Sequence, residues 1–363
     1  MLSSPAMTHV FVAPHPDDVA LSCGGLVASL RELGQSVTIL TVYSGGAGRR
    51  VDLSDYQREE LGFGTKTLAP DTEAFNRSNI TAEYPVATTA GVGAPWQADP
   101  GRLDATQERA NTQARQFWQR AAWSRSANIT NEASEDRPLS DNTSSQGTLA
   151  RYDLDSADSS AIRRMEDERW AYFIEAALVD LGLPDAVHRG YEGDEALLGR
   201  PFEDDEPPVD ILRREIMRLE PQQVYVPLGV GGQVDHRLCR DAALALLSDE
   251  QAWVMPAPSL TGRLSFYEDF PYAWWNGFSG LADLASADIE VPHGLALEAR
   301  YADISDQLER KNAGLRMYAS QVEQLFDSEQ GMLDAVTGYA ARVAEAGGVG
   351  TGAAERYWNV VRS

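Results

Sequence analysis

His15-Pro16-Asp17-Asp18 places one imidazole and two carboxylates within four residues. Far along the chain, Gln233-Val234-Asp235-His236 pairs an acid with a second imidazole. Together His15, Asp18 and His236 offer two nitrogens and one carboxylate oxygen. That donor set suits Zn2+, one ion per chain, or another divalent metal, with a coordination position left open for water. A zinc-bound water has a lowered pKa and serves as the nucleophile. Asp17, beside a ligand but not one itself, is placed to act as general base, taking a proton from that water and returning it to a leaving group. The chemistry is hydrolysis of an amide or ester. For the first segment alone, an N-terminal helix cap is the competing reading.

The elements needed to position these groups are legible. Thr8 to Ala13 is an apolar, β-rich run read as a buried strand, and Ala20 to Leu33 reads as a helix stopped by Gly34. Gly24 and Gly25 lie inside it, which close packing of the helix against the sheet explains. Val37 to Tyr43 is a second strand, ending at the glycine loop 44–48. The first unit is therefore βαβ. Further on, a helix is predicted over 160–181, a strand at 186–188, an acidic loop over 193–205 and a helix from Val209 to Leu219. The strand Gln223 to Val226 follows, then a glycine-rich loop closing at Gly232, the helix Arg237 to Leu247, the strand Ser265 to Glu268, and helix over about 297–327. Alternating elements predict an α/β fold, a mostly parallel sheet with helices on both faces. Both acid–imidazole segments then fall at the carboxyl ends of strands, where such sheets bind ligands. Residues 50–157 break the pattern and read as a long polar insertion after the second strand, a lid, an oligomer contact or partly disordered; within them, 103–124 is helical and 125–148 is loop.

Composition narrows the function classes. The chain has 363 residues and a formal charge of −24, and Lys66 and Lys311 are its only lysines. Nucleic acid is excluded as a partner, because phosphate contacts need clustered cations. Two carboxylates at the first strand-to-helix turn would also repel a pyrophosphate. No apolar stretch approaches a membrane span and the N-terminus does not read as a signal peptide, so a soluble cytoplasmic protein is expected. An acidic surface nearly devoid of lysine is what a salt-rich, halophilic cytoplasm favours. Cys23 and Cys239 allow at most one disulfide and read as buried thiols. His188 reads as structural rather than as a ligand. Trp96, Tyr272, Trp274 and Trp275 are candidates for stacking on a sugar, with core packing the competing role.

The segment Pro14-His15-Pro16-Asp17-Asp18-Val19-Ala20-Leu21-Ser22-Cys23-Gly24-Gly25 resembles the opening motif of the LmbE-like, or PIG-L, de-N-acetylases, A-H-P-D-D-E-x-L-G-C-G-G. Gln233-Val234-Asp235-His236 is similar to the family's H-x-D-H. Weaker similarity covers Arg164 to Asp167, Tyr267 to Tyr272, and Lys311 with Tyr318-Ala319-Ser320-Gln321. The resemblance implies a single Rossmann-like domain over 1–363, His15, Asp18 and His236 as zinc ligands, and Asp17 as base. The substrate it implies is a small-molecule N-acylated amino sugar or its conjugate, and a homo-oligomer is possible. Two positions depart from the family pattern. Val19 stands in place of a glutamate that is not a ligand. Gln233 stands in place of the histidine that stabilises the oxyanion, supported in the family by the aspartate matching Asp235. A neutral amide recovers part of a loss that is ~10²–10³ in rate when such a donor is absent. The alternative is therefore a weakened or inactive carbohydrate- or metal-binding relative. Tyr267, Arg49 and Gly232 are the expected substrate contacts.

Overall fold

The computed structural model describes residues 7–46, 50–51, 157–248, 260–278, 280, 284, 289–350 and 352–363. Arg49, Trp96 and nearly all of the 50–157 insertion, including the helix expected over 103–124 and the loop over 125–148, lie outside the described residues.

The chain opens with β1 (Thr8–Ala13), α1 (Asp18–Glu32) and β2 (Ser36–Thr41). Two short strands, β3 (Arg50–Val51) and β4 (Ala157–Asp158), pair antiparallel to each other. Then come α2 (Ser159–Ile174), β5 (Ala177–Asp180), a 3-10 turn at Ala186–His188, α3 (Gly193–Leu197), α4 (Val209–Leu219), β6 (Gln223–Pro227) and α5 (Val234–Ser248). The last part comprises β7 (Leu264–Tyr267), α6 (Tyr272–Trp275), β8 (Leu295–Asp303), α7 (Leu308–Leu315), α8 (Ala319–Phe326), α9 (Glu329–Gly347) and β9 (Ala354–Arg362).

Seven strands form one sheet in the order β5-β2-β1-β6-β7-β9-β8. The first five run parallel; β9 and β8 are antiparallel additions at one edge. The expected mostly parallel α/β sheet is thus present. From β1 the chain winds outward through β2 to β5, then returns to the other side of β1 for β6 and β7. Right-handed crossovers in opposite directions put their helices on opposite faces. One group, α1, α2, α7, α8 and α9, packs together, and a second, α4 with α5, covers β6. Val10, Phe11, Val12, Ile39, Leu40, Val224, Val226 and Phe266 fill the core between them, all 1% exposed or less. The winding reverses between β1 and β6, which opens a crevice beyond their carboxyl ends.

Several expectations are corrected, among them the acidic loop over 193–205, which opens with the short helix α3 (Gly193–Leu197). The helix predicted over 160–181 ends at Ile174, because Glu175 takes a left-handed backbone (φ 61), and Ala177–Asp180 joins the sheet beside β2. Ala186–His188 is a 3-10 turn, capped by the Asp185 side chain. Residues 295–303 are strand, paired along their whole length with β9. Leu295, Ala296 and Leu297 are all half-buried and only Glu298-Ala299-Arg300 alternates, so no clear strand period marks this run and its partner strand lies about 60 residues later. Gly24 faces Lys311 of α7 and Gly25 faces Ile304 ahead of it, while Gly25 N–H also donates to Glu355 of β9 at 2.9 Å. A Cβ on Gly25 would fall 2.7 Å from Ile304 Cγ2, and one on Gly24 3.2 Å from Lys311 Cγ. Among the described residues, no helix is long and apolar enough to cross a membrane.

Candidate metal centre

His15 stands just beyond β1, and the turn that follows carries the chain into α1. Asp17 occupies the N-cap position of α1 with a left-handed backbone, φ 97. That conformation is costly for a residue with a Cβ and is found where neighbouring structure enforces it. The turn directs Asp18 back on itself: its Oδ2 accepts from the His15 backbone N–H at 2.8 Å and lies 3.2 Å from His15 Nδ1. His236 comes from the first turn of α5, beyond β6, and its Nε2 lies 3.3 Å from the same Asp18 oxygen. His15, Asp18 and His236 thus form one buried donor group, their ligand atoms all within 4.8 Å of one another. Tetrahedral N/O ligands at ~2.0–2.2 Å from an ion sit about 3.4 Å apart, close to these separations.

The outer nitrogens of both imidazoles are committed. His15 Nε2 meets Asp235 Oδ2 at 2.8 Å, and His236 Nδ1 meets Asp269 Oδ1 at 2.6 Å. Donation to these carboxylates leaves the lone pairs of His15 Nδ1 and His236 Nε2 facing Asp18, which is how metal-ligating histidines are oriented. His236 Nε2 is buried with no well-formed hydrogen bond, its near neighbour being Asp18 Oδ2 at 3.3 Å, and a cation between the two would satisfy both. The donor set therefore fits a divalent metal.

Electrostatics point the same way. Burial alone would lower His15, but Asp185, Asp18 and Asp235 raise it well above the usual histidine value. His236 is lowered by burial yet raised overall to about 9 by Asp18 and Asp269. Burial raises Asp18, but His236 and His15 hold it far below the ordinary range. The carboxylates draw positive charge to this point. A second group, His15 with Asp185 and Asp235, is less suited to an ion. Its acids already face permanent cations, Arg189 2.6 Å from Asp235 and Arg163 3.6 Å from Asp185.

Asp17 is 4% exposed and pairs with Arg163 of α2 at 3.3 Å. Burial raises its carboxyl to about 7, with Arg163 opposing and Asp18 adding to the rise.

Gln233 precedes α5 and its amide oxygen accepts from the backbone N–H groups of Asp235 (2.6 Å) and His236 (3.1 Å), in the manner of an N-cap. This pins the amide, so its NH2 is a donor of fixed direction. Asp235 supports His15 and Arg189, whereas the resemblance had assigned it to the residue at 233.

Two expected substrate contacts are otherwise engaged. The Tyr267 hydroxyl is buried and donates to Val12 O at 2.8 Å, tying β7 back across the sheet. Gly232 N–H closes a turn on Gly229 O, and its φ of 79 fits a position where a Cβ would fall 2.9 Å from Leu198 O. His188 packs on Gly46 and joins neither donor group. Trp274 and Trp275 are 2% and 7% exposed and belong to the core. Tyr272 is half-buried, with its ring edge-on to His236 at 5.5 Å. Cys23 and Cys239 are free, buried thiols, pushed up by that burial.

Sequence reasoning assigned no role to Asp269, Arg163, Asp185 or Arg189. Asp269 carried a usable signal, since it follows β7 as His15 follows β1. The other three lie on a helix and a turn whose approach to the crevice is set by the fold alone.

A family model described as PIG-L, GlcNAc-PI de-N-acetylase, matches residues 10–80. A comparison with curated proteins finds no match. Among solved structures, the A40926 pseudoaglycone deacetylase Dbv21 is similar at a TM-score of 0.54 and 18% identity, covering 99% of this chain and 98% of that one. The zinc-inhibited form of teicoplanin deacetylase Orf2 gives 0.53 and 21%, covering 98% of each chain. A deacetylase–teicoplanin complex gives 0.52 and 19%, covering 98% of this chain and 99% of that one. The chain therefore carries a PIG-L, LmbE-like family match across its first site segment, on the fold of solved LmbE-like deacetylases.

Proposed function

We propose that this protein is a zinc-dependent hydrolase that removes an N-acetyl or related acyl group from an amino sugar or its conjugate. One observation carries the reading: His15 Nδ1, His236 Nε2 and Asp18 Oδ2 converge while Asp235 and Asp269 hold the outer imidazole nitrogens. The family match and the folds of glycopeptide deacetylases support the substrate class, a sugar amide on a larger conjugate included.

His15, Asp18 and His236 would hold the ion, which supplies Lewis acidity toward the amide carbonyl and makes water acidic enough to attack near neutrality. Asp17 accepts the proton of the attacking water and passes it to the departing amine; its carboxyl near 7 suits both transfers. Arg163 fixes that carboxylate from the side of α2. The pinned Gln233 amide, and Tyr272 whose ring stands edge-on to His236 at 5.5 Å, are the donors to the carbonyl oxygen as charge gathers on it.

Acetate release from N-acetylglucosamine conjugates, measured with zinc content, tests this. Asp17→Asn is expected to keep zinc while losing ~10²–10⁴ in kcat. An active Asp17→Asn, or a wild type that releases no acetate from a broad panel, overturns it. The second reading, a binding protein without turnover, is favoured by Gln233, whose neutral amide doubles as a helix cap. Zinc uptake without turnover, with turnover gained in Gln233→His, supports that reading.

A further inference from the structure

Asp235 is wholly buried, and both of its oxygens are engaged. Oδ2 accepts from the Ala186 backbone N–H at 3.0 Å as well as from His15. Oδ1 accepts from Arg189 Nη2 at 2.6 Å. Arg189 is itself held on several sides. Its Nε and Nη2 donate to Asp205 at 3.0 and 2.8 Å, and Nη1 donates to Pro184 O at 2.7 Å. Its guanidinium lies 4.7 Å from the centre of the buried Tyr43 ring. Asp205 is anchored in turn by the Tyr191 hydroxyl at 2.9 Å, and Tyr191 stacks on Phe202 at 4.0 Å. A planar fork gripping two carboxylates over an aromatic ring is a rigid strut. It runs from the acidic segment 184–205 to one imidazole of the donor group.

We propose that Arg189 is a positioning residue for the ligand His15, acting through Asp235; this rests on the metal reading above. A carboxylate on a free torsion holds its histidine loosely. Clamped at Oδ1 by Arg189 and at Oδ2 by Ala186 N–H, Asp235 fixes the plane in which His15 Nδ1 presents its lone pair. The residues of 184–205 thereby contribute to metal affinity without touching the ion.

Zinc affinity of the full-length protein, measured by competition with a chromophoric chelator well below the melting temperature, tests this. Arg189→Met is expected to weaken zinc about 10–100-fold, the range for lost outer-sphere support. Arg189→Lys keeps the charge but cannot grip both carboxylates, and falls between. Asp205→Asn, which leaves the Arg189–Asp235 contact in place, weakens zinc less than Arg189→Met and serves if the latter does not fold. The visible spectrum of the cobalt(II)-substituted protein shifts in Arg189→Met as ligand geometry changes. Zinc affinity within about threefold of wild type with an unshifted cobalt spectrum overturns the proposal, even if the variants melt earlier. A wild type that takes up no zinc overturns the metal reading as well, so the two failures are distinct.

Discussion

The carboxylates buried near the antiparallel edge of the sheet and those buried in the crevice are neutralised differently. Near the antiparallel edge, Glu268 is gripped by the Arg356 guanidinium, with Trp358 Nε1 at 2.9 Å and the Tyr339 hydroxyl completing its shell. Nearby, Glu355 takes Lys311 Nζ at 2.7 Å and two backbone N–H groups of α1, from Gly25 and Leu26. Each acid there is held by an arginine or a lysine. In the crevice, Asp18 and Asp269 have no arginine or lysine partner among the described residues. Their partners are His15, His236 and the backbone N–H groups of His15 and Val230. Imidazole charge is conditional, and imidazole can give its lone pair to a metal instead. Pairing with arginine or lysine makes a structural strut. Asp17 and Asp235 in the same crevice do meet Arg163 and Arg189, so it is only the acids between and behind the two imidazoles, Asp18 and Asp269, whose conditional pairing leaves room for a cation.

The comparison can be broken from either side. Arg356→Met leaves Glu268 buried without its cation, and should destabilise the fold by about 3–5 kcal/mol in urea titrations while leaving zinc affinity unchanged. A loss below about 1 kcal/mol would mean that the edge cluster is no strut. Zinc at 100 times its dissociation constant should stabilise the wild type by ~2.7 kcal/mol through mass action. Asp18→Ala should abolish that gain, and persistence of the gain would move the metal elsewhere. The smallest effect concerns a third setting, a histidine with no charge partner. His9 is buried, stacks near Tyr225 at 6.2 Å and has both ring nitrogens without partners. Burial lowers its pKa below 6.5, so the unfolded chain takes up the proton first. Its contribution to stability is complete above 6.5 and is lost as pH falls through 6.5 toward the folded-state value. The urea midpoint of His9→Phe, compared with wild type at pH 7 and pH 5, should fall less; an equal fall removes His9 as the cause.

The site and the first half of the sheet were readable because local signals agreed. β1, α1 and β2 have strong patterns, and His15, Asp17, Asp18, Asp235 and His236 sit where strand ends meet helices. Segments whose partners are distant in sequence were misread. β5 follows α2 after two residues and carries helix-compatible side chains, so only pairing with β2 makes it strand. β8 depends on β9, about 60 residues later.

By itself the sequence marked the candidate donors His15, Asp18 and His236, the neutral amide at Gln233 and the acidic balance, since these are matters of residue type and spacing. Tertiary structure alone decided which nitrogen of each histidine faces Asp18, because Asp235 and Asp269 are brought to the outer nitrogens from other strand ends. It also retired Tyr267 to the interior and brought Arg163 and Arg189 to the crevice. An arginine's partners depend on where helices and turns converge, and local periodicity carries no record of that convergence.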